Sequence, residues 1–257
     1  MPQDLPQPKV PWYVDWFGED YLLVYAHRDE AEAKKMVDLA ERLCPIAEGS
    51  RVLDLACGAG RHAVEMTKRG FQVTGLDLSQ TLLAEAARWA GECDEEVTWV
   101  NQDMRQVVTP LGFDLVVNFF TSFGYFDTDD ENQRVLSAIH DNLRPGGGFV
   151  MDYLNRDWII KNLVGHDDSD IRGVHIVQDR KVDREASRVE KTIRIESDGV
   201  HRVYKESVRM YIYPELMAMT QRADLTIDGV VGDYDGSPYT LSSPRMMLFG
   251  HREDQSE

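Results

Sequence analysis

Apolar runs of strand length alternate with amphipathic segments of helical length over residues 50–155. Glycine, proline or a helix-capping residue separates most neighbouring runs, which marks where one element ends and the next begins. Buried strands that alternate with helices are typical of a parallel sheet with helices on both faces. The predicted strands are 51–56, 71–77, 96–103, 113–120 and 149–154, and the predicted helices are 29–44, 61–70, 80–92 and 132–143.

Polar residues at two predicted helix starts support these boundaries. Ser79 precedes the helix 80–92 as an expected N-cap, since its hydroxyl can accept a hydrogen bond from a free backbone N–H group. Thr128 and Glu131 have the spacing of a capping box ahead of the helix 132–143.

The pattern changes in the second half of the chain. Polar and apolar residues there alternate with period two in three runs separated by short turns, which predicts antiparallel strands with one face in solvent. Those runs are 174–182, 188–196 and 201–213, and a helix at 214–223 and strands at 225–234 and 245–252 follow them. The predicted organisation is a single domain over residues 1–257, with an N-terminal arm and helical cover over 1–48 and an antiparallel inserted subdomain over 165–213.

Composition narrows the class of protein. The chain of 257 residues is 42% apolar, enough for a sizeable core, and carries 45 acidic against 28 basic residues. A formal net charge of −17 argues against nucleic acid and anionic membranes as partners and suits a soluble enzyme for small neutral or cationic molecules. No apolar run reaches the length of a membrane span, and the first residues lack the features of a secretory signal. Cys44, Cys57 and Cys93 have no disulfide or zinc spacing, which fits a reducing cytoplasm.

Residues 52–63, VLDLACGAGRHA, join an apolar strand to a helix through a glycine-rich turn. Glycine lets a ligand approach the backbone closely, and the helix N-terminus offers free N–H groups. Gly58, Gly60 and Ala63 satisfy G-x-G-x-x-A, and Asp77 ends the next strand, as in a site for a nicotinamide or flavin dinucleotide. These features alone leave a dinucleotide-dependent oxidoreductase open.

A carboxylate, Asp54, stands on the strand just before this turn. The stretch DLACGAG resembles motif I of class I S-adenosylmethionine-dependent methyltransferases, with Ala56 in place of the first glycine of that motif. The methionine part of this cofactor carries an ammonium, and its sulfur is a cation. A carboxylate complements that positive charge and would repel a pyrophosphate. The resemblance therefore favours S-adenosylmethionine over a dinucleotide.

Further motifs extend the resemblance across residues 50–155. VTGLDLS resembles motif II, which implies that Asp77 accepts hydrogen bonds from both ribose hydroxyls. VNQDMRQ resembles the third-strand motif, which implies that Asp103 accepts from the adenine amino group and that Leu78 and Met104 flank the ring. FDLVVNFFTSFGYF and LRPGGGFVMDYL resemble the motifs of the fourth and fifth strands. The fold this implies is α/β: a Rossmann-like, seven-stranded, mostly parallel sheet of order 3-2-1-4-5-7-6 with helices on both faces, plus a small inserted antiparallel sheet.

The N-terminal segment is rich in aromatic residues, and Tyr21 and Tyr25 are spaced to share one helix face. Small-molecule members of the family often carry an N-terminal cover, so a lid with aromatic faces toward the sulfonium is one interpretation. Ordinary packing of this helix against the sheet is the other. The expected cofactor-binding residues are together Tyr21, Tyr25, Asp54, Ala56, Gly58, Gly60, Asp77, Leu78, Asp103, Met104 and Asn118.

The methyl acceptor is expected beyond the carboxyl ends of the fourth and fifth strands, where ligands of such sheets bind. The expected acceptor pocket comprises Tyr125, Asp152, Tyr153 and Asn155. Tyr125 is the candidate catalytic residue, because a phenol can orient or deprotonate an amine or hydroxyl, and packing in an aromatic loop is the alternative. No H-E-x-x-H or similar ligand spacing occurs, so no metal is expected.

The antiparallel insertion resembles a sheet found in small-molecule N-methyltransferases that act on nucleotide-linked amino sugars and on glycine-like amines. That sheet covers the acceptor and can form dimer contacts, so a homodimer through it is one expected assembly. The expected function is in-line transfer of a methyl group from S-adenosylmethionine, leaving S-adenosylhomocysteine, to nitrogen or oxygen of a small-molecule acceptor in the cytoplasm. An NAD(P)-dependent oxidoreductase and a non-catalytic protein that binds S-adenosylmethionine are the alternatives.

Overall fold

The computed structural model of the chain describes residues 10–26, 28, 30–108, 112–197 and 199–253. The predicted N-terminal arm over residues 1–9 lies outside this described part. A seven-stranded sheet occupies the centre of the fold. Its strands are β1 (Arg51–Leu55), β2 (Gln72–Asp77), β3 (Thr98–Asn101), β4 (Phe113–Asn118), β5 (Leu143–Leu154), β10 (Leu225–Val231) and β11 (Arg245–Arg252).

The strands follow the order β3-β2-β1-β4-β5-β11-β10 across the sheet. The five strands from β1 to β5 pair in parallel, whereas β11 is antiparallel to both of its neighbours, β5 and β10. With the four strands of the insertion left out, this is the predicted order 3-2-1-4-5-7-6. The predicted fold class is confirmed.

Helices cover both faces of this sheet. They are α3 (Glu30–Leu43), α4 (Arg61–Lys68), α5 (Gln80–Glu92), α6 (Asp129–Asn142) and α8 (Tyr213–Arg222), with a short α7 (Arg156–Asn162) that the sequence pattern does not predict. Ser79 caps α5 by accepting a hydrogen bond from the Leu82 N–H group, and both halves of the Thr128–Glu131 capping box are present at α6. Both predicted caps are confirmed, and α6 begins at Asp129, three residues before the predicted helix 132–143.

The core consists of two apolar layers, one on each face of the sheet. Successive residues of a strand point to opposite faces, so Leu53 and Leu55 pack in one layer with Leu136 of α6. Val52 packs in the other layer with Met36 of α3. Asp54 alternates with these buried leucines, which places a carboxylate inside the sheet region at the end of β1.

The insertion forms a separate four-stranded antiparallel sheet, called here the inserted sheet. Its strands are β6 (His166–Ile171), β7 (Val174–Asp183), β8 (Arg188–Ser197) and β9 (Val200–Arg209), in that order. The sequence analysis missed β6, because its largely exposed side chains show no apolar alternation. The predicted run 201–213 was too long, since the strand ends at Arg209 and α8 begins at Tyr213.

Two short helices, α1 (Trp12–Trp16) and α2 (Glu19–Val24), precede α3 and form the N-terminal cover. Trp16 and Val24 are buried against Ile176, Ile193 and Ile195 of the inserted sheet. The cover therefore packs on the inserted sheet. Within the described ranges, the structure contains no helix with the length and apolar character to cross a membrane.

Candidate functional site

A cavity of about 820 Å³ lies beyond the carboxyl ends of β1, β2 and β4. Three parts of the molecule form its wall: the loops after these strands, the N-terminal cover, and residues of the inserted sheet. Open α/β sheets bind ligands at this place, because the strand order reverses next to β1. Ten predicted site residues line the cavity: Tyr21, Tyr25, Asp54, Ala56, Gly58, Asp77, Leu78, Asp103, Met104 and Tyr125.

The turn between β1 and α4 presents its backbone to the cavity at Gly58. Gly58 has φ of +56°, and a Cβ atom built on it would approach nothing closer than 3.9 Å. A ligand can therefore lie against this backbone. Gly60 is required for another reason, because a Cβ there would lie 2.6 Å from the Trp99 ring and 2.8 Å from Ala86. Gly60 does not line the cavity, so the structure supports a role in packing, and its predicted contact with a cofactor stays a prediction.

Asp54 supplies a buried carboxylate at the floor of the cavity. Its side chain is 1% exposed, and its Oδ2 atom has no hydrogen-bond partner among the described residues. Burial and then the negative charge of Asp77 raise the pKa of the Asp54 carboxyl to about 7, although the Ala63 N–H group and Arg61 lower it in part. A buried carboxylate oxygen without a hydrogen-bond partner is energetically costly, so the free Oδ2 atom of Asp54 favours a cationic ligand.

Asp77 connects the glycine turn to the start of α5. Its Oδ2 accepts from the Gly58 N–H group and its Oδ1 from the Ser79 N–H group, both at 2.8 Å. Burial raises the pKa of the Asp77 carboxyl, and these backbone hydrogen bonds oppose that effect. Each carboxylate oxygen can accept a further hydrogen bond, so Asp77 can also receive ligand hydroxyls.

Asp103 and Met104 follow β3 at the next position along the edge of the cavity. Asp103 forms a forked pair with Arg105, whose Nε lies 3.0 Å from Oδ1 and whose Nη2 lies 2.6 Å from Oδ2. Burial would raise the pKa of the Asp103 carboxyl, but the hydrogen bonds from Arg105 outweigh it and lower the value. Met104 is buried, whereas Leu78 is 41% exposed. The sulfur and methyl surfaces of these two side chains offer apolar walls for a flat ring.

The N-terminal cover contributes aromatic rings to the cavity, and Arg28, which follows the cover in the chain, contributes a guanidinium. The rings of Tyr21 and Tyr25 lie 4.7 Å apart, as their spacing predicts. Arg28 donates to the Tyr21 hydroxyl at 2.8 Å and lies 3.9 Å from the Tyr25 ring centroid. The described residues place no carboxylate within ion-pair distance of this guanidinium. Arg28 can therefore pair with an anionic group of a ligand.

Tyr125 lies in the loop after β4 and lines the cavity. Its ring stacks on Phe17 at 5.8 Å and meets the edge of Trp12 at 4.9 Å. Burial raises the pKa of the Tyr125 hydroxyl well above its ordinary value, and the nearby charge of Glu206 adds to this. Tyr125 thus keeps its proton at neutral pH, so it can orient an acceptor but does not deprotonate one.

Besides Gly60, four predicted site residues are absent from the cavity wall. Asn118 donates to the Leu55 carbonyl at 2.8 Å, and Asn155 caps α7 while donating to two carbonyls of the loop before β11. The Tyr153 hydroxyl donates to the Arg209 carbonyl, which joins β5 to the inserted sheet. Asp152 pairs with Arg245. Asp152, Tyr153 and Asn155 make hydrogen bonds within the fold, so the cavity lining does not support their place in the acceptor pocket, which stays a prediction. Asn118 keeps its Oδ1 atom without a hydrogen-bond partner among the described residues.

Sequence analysis missed three functional candidates that the structure brings to the cavity: Arg28, His62 and Glu206. The His62 ring lies 4.8 Å from the Phe119 ring in a tilted arrangement, and burial holds the pKa of its imidazole well below the usual value, so the ring is neutral. His62 is the second residue of α4, which follows the glycine-rich turn directly. This position in the sequence was the signal that could have marked it as a site residue. Glu206 belongs to the inserted sheet, and nothing in its neighbouring sequence distinguishes it from the other alternating polar residues.

Comparison with known proteins identifies the domain. Residues 52–147 match the family model described as a methyltransferase domain. The dTDP-3-amino-3,4,6-trideoxy-alpha-D-glucopyranose N,N-dimethyltransferase of Streptomyces venezuelae is 33% identical over 52% of this chain and 51% of that protein. The cypemycin N-terminal methyltransferase of a Streptomyces species is 25% identical over 80% of this chain and 84% of that protein. The chain spans about half or less of the length of the first curated relatives it matches.

The fold also matches solved structures. One is CalS10 of Micromonospora echinaspora, an amino pentose methyltransferase whose structure contains bound S-adenosylmethionine. The two structures agree with a TM-score of 0.67 at 23% identity, over 91% of this chain and 97% of that one. At this identity the likeness concerns the fold alone.

Proposed function

We propose, from the premise that the chain belongs to the class I family of S-adenosylmethionine-dependent methyltransferases, that it methylates a nitrogen atom of a small molecule. The observation that carries the proposal is Asp54, a buried carboxylate with an unpartnered oxygen beside a glycine turn that a ligand can approach. The Streptomyces venezuelae relative, whose name specifies N,N-dimethylation, supports the choice of nitrogen over oxygen.

The described residues fit the chemistry of this cofactor. When bound, S-adenosylmethionine supplies a methyl group on a cationic sulfur, and its methionine end carries an ammonium and a carboxylate. Asp54 would hold the ammonium, and Arg28 would hold the carboxylate. Asp77 would accept hydrogen bonds from the ribose hydroxyls through the lone pairs that its two backbone donors leave free.

The adenine end of the site would be held by Leu78, Met104 and Asp103. Leu78 and Met104 contribute apolar surfaces at this end of the cavity. Asp103 is oriented by Arg105, and a lone pair of its carboxylate remains for an amino group. A dinucleotide would place a pyrophosphate against the glycine turn, where the negative charge of Asp54 opposes it.

Alignment and exclusion of water are the protein's part in methyl transfer. A thioether is a good leaving group, so the rate depends on holding the acceptor nitrogen in line with the carbon–sulfur bond. The rings of Trp12, Phe17 and Tyr125 close the cavity over this region and keep water out. Tyr125, which stays protonated, can donate a hydrogen bond that orients the acceptor.

The proposal also covers the domain organisation, the cellular compartment and the oligomeric state. The N-terminal segment 1–48 and the insertion 165–213 act as parts of one domain, because α1 and α2 pack between the central and inserted sheets. The free thiols of Cys44, Cys57 and Cys93 suit a reducing cytoplasm. A homodimer through the inserted sheet stays a prediction, which analytical ultracentrifugation tests.

Isothermal titration calorimetry with S-adenosylmethionine and S-adenosylhomocysteine tests the proposed function. Both are expected to bind with one-to-one stoichiometry, and NADH is not. The holoprotein with isotope-labelled S-adenosylmethionine and a pool of amine metabolites is then expected to give labelled N-methyl products by mass spectrometry. Binding of NADH alone would favour an oxidoreductase. Cofactor binding without any labelled product would favour a non-catalytic protein.

A further inference from the structure

The inserted sheet contributes a carboxylate to the cavity wall, Glu206 of β9. Its Oε1 atom accepts hydrogen bonds from Trp16 Nε1 at 2.7 Å and from the Tyr25 hydroxyl at 3.0 Å. Both donors belong to the N-terminal cover, so the position of this carboxylate is fixed from two sides. Its side chain is 19% exposed.

The second oxygen of this carboxylate, Oε2, accepts no hydrogen bond from the described residues. Lys191 forms an ion pair with this oxygen, with its Nζ 3.8 Å away, which is beyond hydrogen-bond distance. Lys191 instead donates to the Tyr25 hydroxyl at 2.6 Å. A carboxylate can accept about four hydrogen bonds, so half of the capacity of Glu206 is available to a ligand.

Aromatic rings surround the same part of the cavity. Tyr125 is near enough for the charge of Glu206 to affect its hydroxyl, and Trp12 and Phe17 contact the Tyr125 ring. Aromatic faces attract cations, and a carboxylate shielded from water attracts them more strongly than one in solvent. A neutral hydroxyl ligand would gain neither effect. This wall is therefore chemically suited to an alkylammonium group.

We propose that the methyl acceptor is an amine that binds as its ammonium ion, and that Glu206 Oε2 accepts one of its N–H hydrogen bonds. The proposal rests on the proposed function and names the substrate class for the same cavity. Arg28 and Glu206 then divide the binding of charge, with the anionic end of the cofactor at the first and the cationic acceptor at the second. Only the neutral amine has a lone pair for the reaction, so one N–H proton passes from the bound ammonium to Glu206 Oε2 before the nitrogen attacks the methyl carbon. The methyl–sulfur bond then breaks as the methyl–nitrogen bond forms. Glu206 determines specificity for amines over alcohols.

Paired ligands test this assignment by calorimetry on the full chain saturated with S-adenosylhomocysteine. Suitable pairs are cyclohexylamine with cyclohexanol, glucosamine with glucose, and 3-aminopropanol with 1,3-propanediol. The wild-type protein is expected to bind at least one amine tenfold or more tightly than its hydroxyl partner. Glu206→Gln is expected to weaken binding of that amine by tenfold or more and to leave the alcohol unchanged, because the amide keeps the shape and loses the charge.

Glu196→Gln is the matched control, since it makes the same charge change on an exposed residue of the inserted sheet outside the cavity. In Glu206→Gln the amide oxygen can still accept hydrogen bonds from Trp16 and Tyr25, so the cover is expected to stay in place. The affinity for S-adenosylhomocysteine is then expected to change less than twofold. Equal binding of amines and alcohols, binding of no amine, or an equal effect of both variants would overturn the proposal. Failure of the wild type to bind S-adenosylhomocysteine would instead contradict the proposed function.

Discussion

At the scale of single residues, Asp54 is the proposed determinant of the ligand charge that the cavity accepts. Its carboxyl is buried next to Asp77, and both effects raise its pKa, to about 7. The ionised form is the one that pairs with an ammonium. Protonation therefore competes with a cationic ligand in the pH range just below neutrality.

This competition predicts pH-dependent binding of S-adenosylmethionine. Below the pKa of about 7, each unit of falling pH reduces the ionised fraction of Asp54 about tenfold, so Kd is expected to rise severalfold to tenfold per unit between pH 7 and pH 5. Asp54→Asn is expected to weaken binding at pH 7 by about 10-fold to 100-fold, since a hydrogen bond to a charged group contributes about 1.5–3 kcal/mol. Calorimetry across this pH range measures both effects.

The asparagine variant should also flatten the pH profile, because it has no proton to gain. Asp228→Asn is the control, since that carboxylate is exposed, pairs with His251 and lies outside the cavity. A pH profile that is equally steep in Asp54→Asn would mean that another group controls binding.

The spacing of residues near one another in sequence made part of this site predictable. Asp54, Gly58 and Asp77 belong to a strand, turn and strand whose order the hydrophobic pattern reveals, so their shared edge could be inferred. Arg28 and Glu206 come from segments about 180 residues apart in the chain, and only tertiary packing brings them to one cavity. Their residue types recur throughout an acidic, charged sequence, so no local signal marks them.

At the scale of elements, the loop after β4 is held in an unfavourable conformation. Phe120 and Thr121 have φ of 58° and 59°, in the left-handed region that non-glycine residues rarely adopt. Asp152 of β5 stabilises the loop, because its Oδ2 accepts from the Phe120 N–H group at 3.0 Å and its carbonyl accepts from Thr121 N–H at 3.0 Å. Arg245 joins this carboxylate to the Thr121 hydroxyl at 2.9 Å. The buried pair thus shapes one wall of the cavity.

Breaking this pair is expected to destabilise the protein and loosen the loop. Asp152→Asn leaves the Arg245 guanidinium without its charge partner, which is expected to lower the free energy of unfolding by about 3 kcal/mol. Urea denaturation measures that loss, and hydrogen exchange at the Phe120 and Thr121 amides measures the loosening. Asp114→Asn is the control, because its partner Arg144 is 52% exposed and such surface pairs contribute about 1 kcal/mol or less. Equal losses in the two variants, with unchanged exchange in the loop, would contradict this account.

Element boundaries show where pattern reasoning succeeds and where it fails. Strands β1, β2 and β4 are apolar and buried on both faces, so their positions and parallel pairing follow from the sequence. Strand β6 has the sequence HDDSDI and buries no side chain fully, so it depends on backbone pairing with β7. Such an edge strand has no periodic signal in its side chains.

At the scale of the whole molecule, the N-terminal cover connects the two sheets across the cavity. On one side, the Ser79 hydroxyl at the start of α5 donates to the Phe17 carbonyl at 2.5 Å. On the other, Asp20 accepts hydrogen bonds from Arg202 Nη2 at 3.0 Å and from the Tyr204 hydroxyl at 2.7 Å, both on β9. Because Trp12, Phe17 and Tyr21 line the cavity, we expect a ligand of cofactor size to displace this cover when it enters or leaves.

Weakening the attachment to β9 is therefore expected to speed ligand exchange more than it changes affinity. Asp20→Asn removes the charge that pairs with Arg202 and leaves the side chains that line the cavity in place. Opening becomes easier for the free and the bound protein alike, so association and dissociation of S-adenosylhomocysteine should both accelerate severalfold, with Kd changed less than threefold. Stopped-flow fluorescence of the cover tryptophans, Trp12 and Trp16, measures both rates. Asp179→Asn removes an exposed carboxylate elsewhere on the inserted sheet and should leave them unchanged. If Asp20→Asn raised Kd through dissociation alone, the cover would be a binding contact rather than a gate.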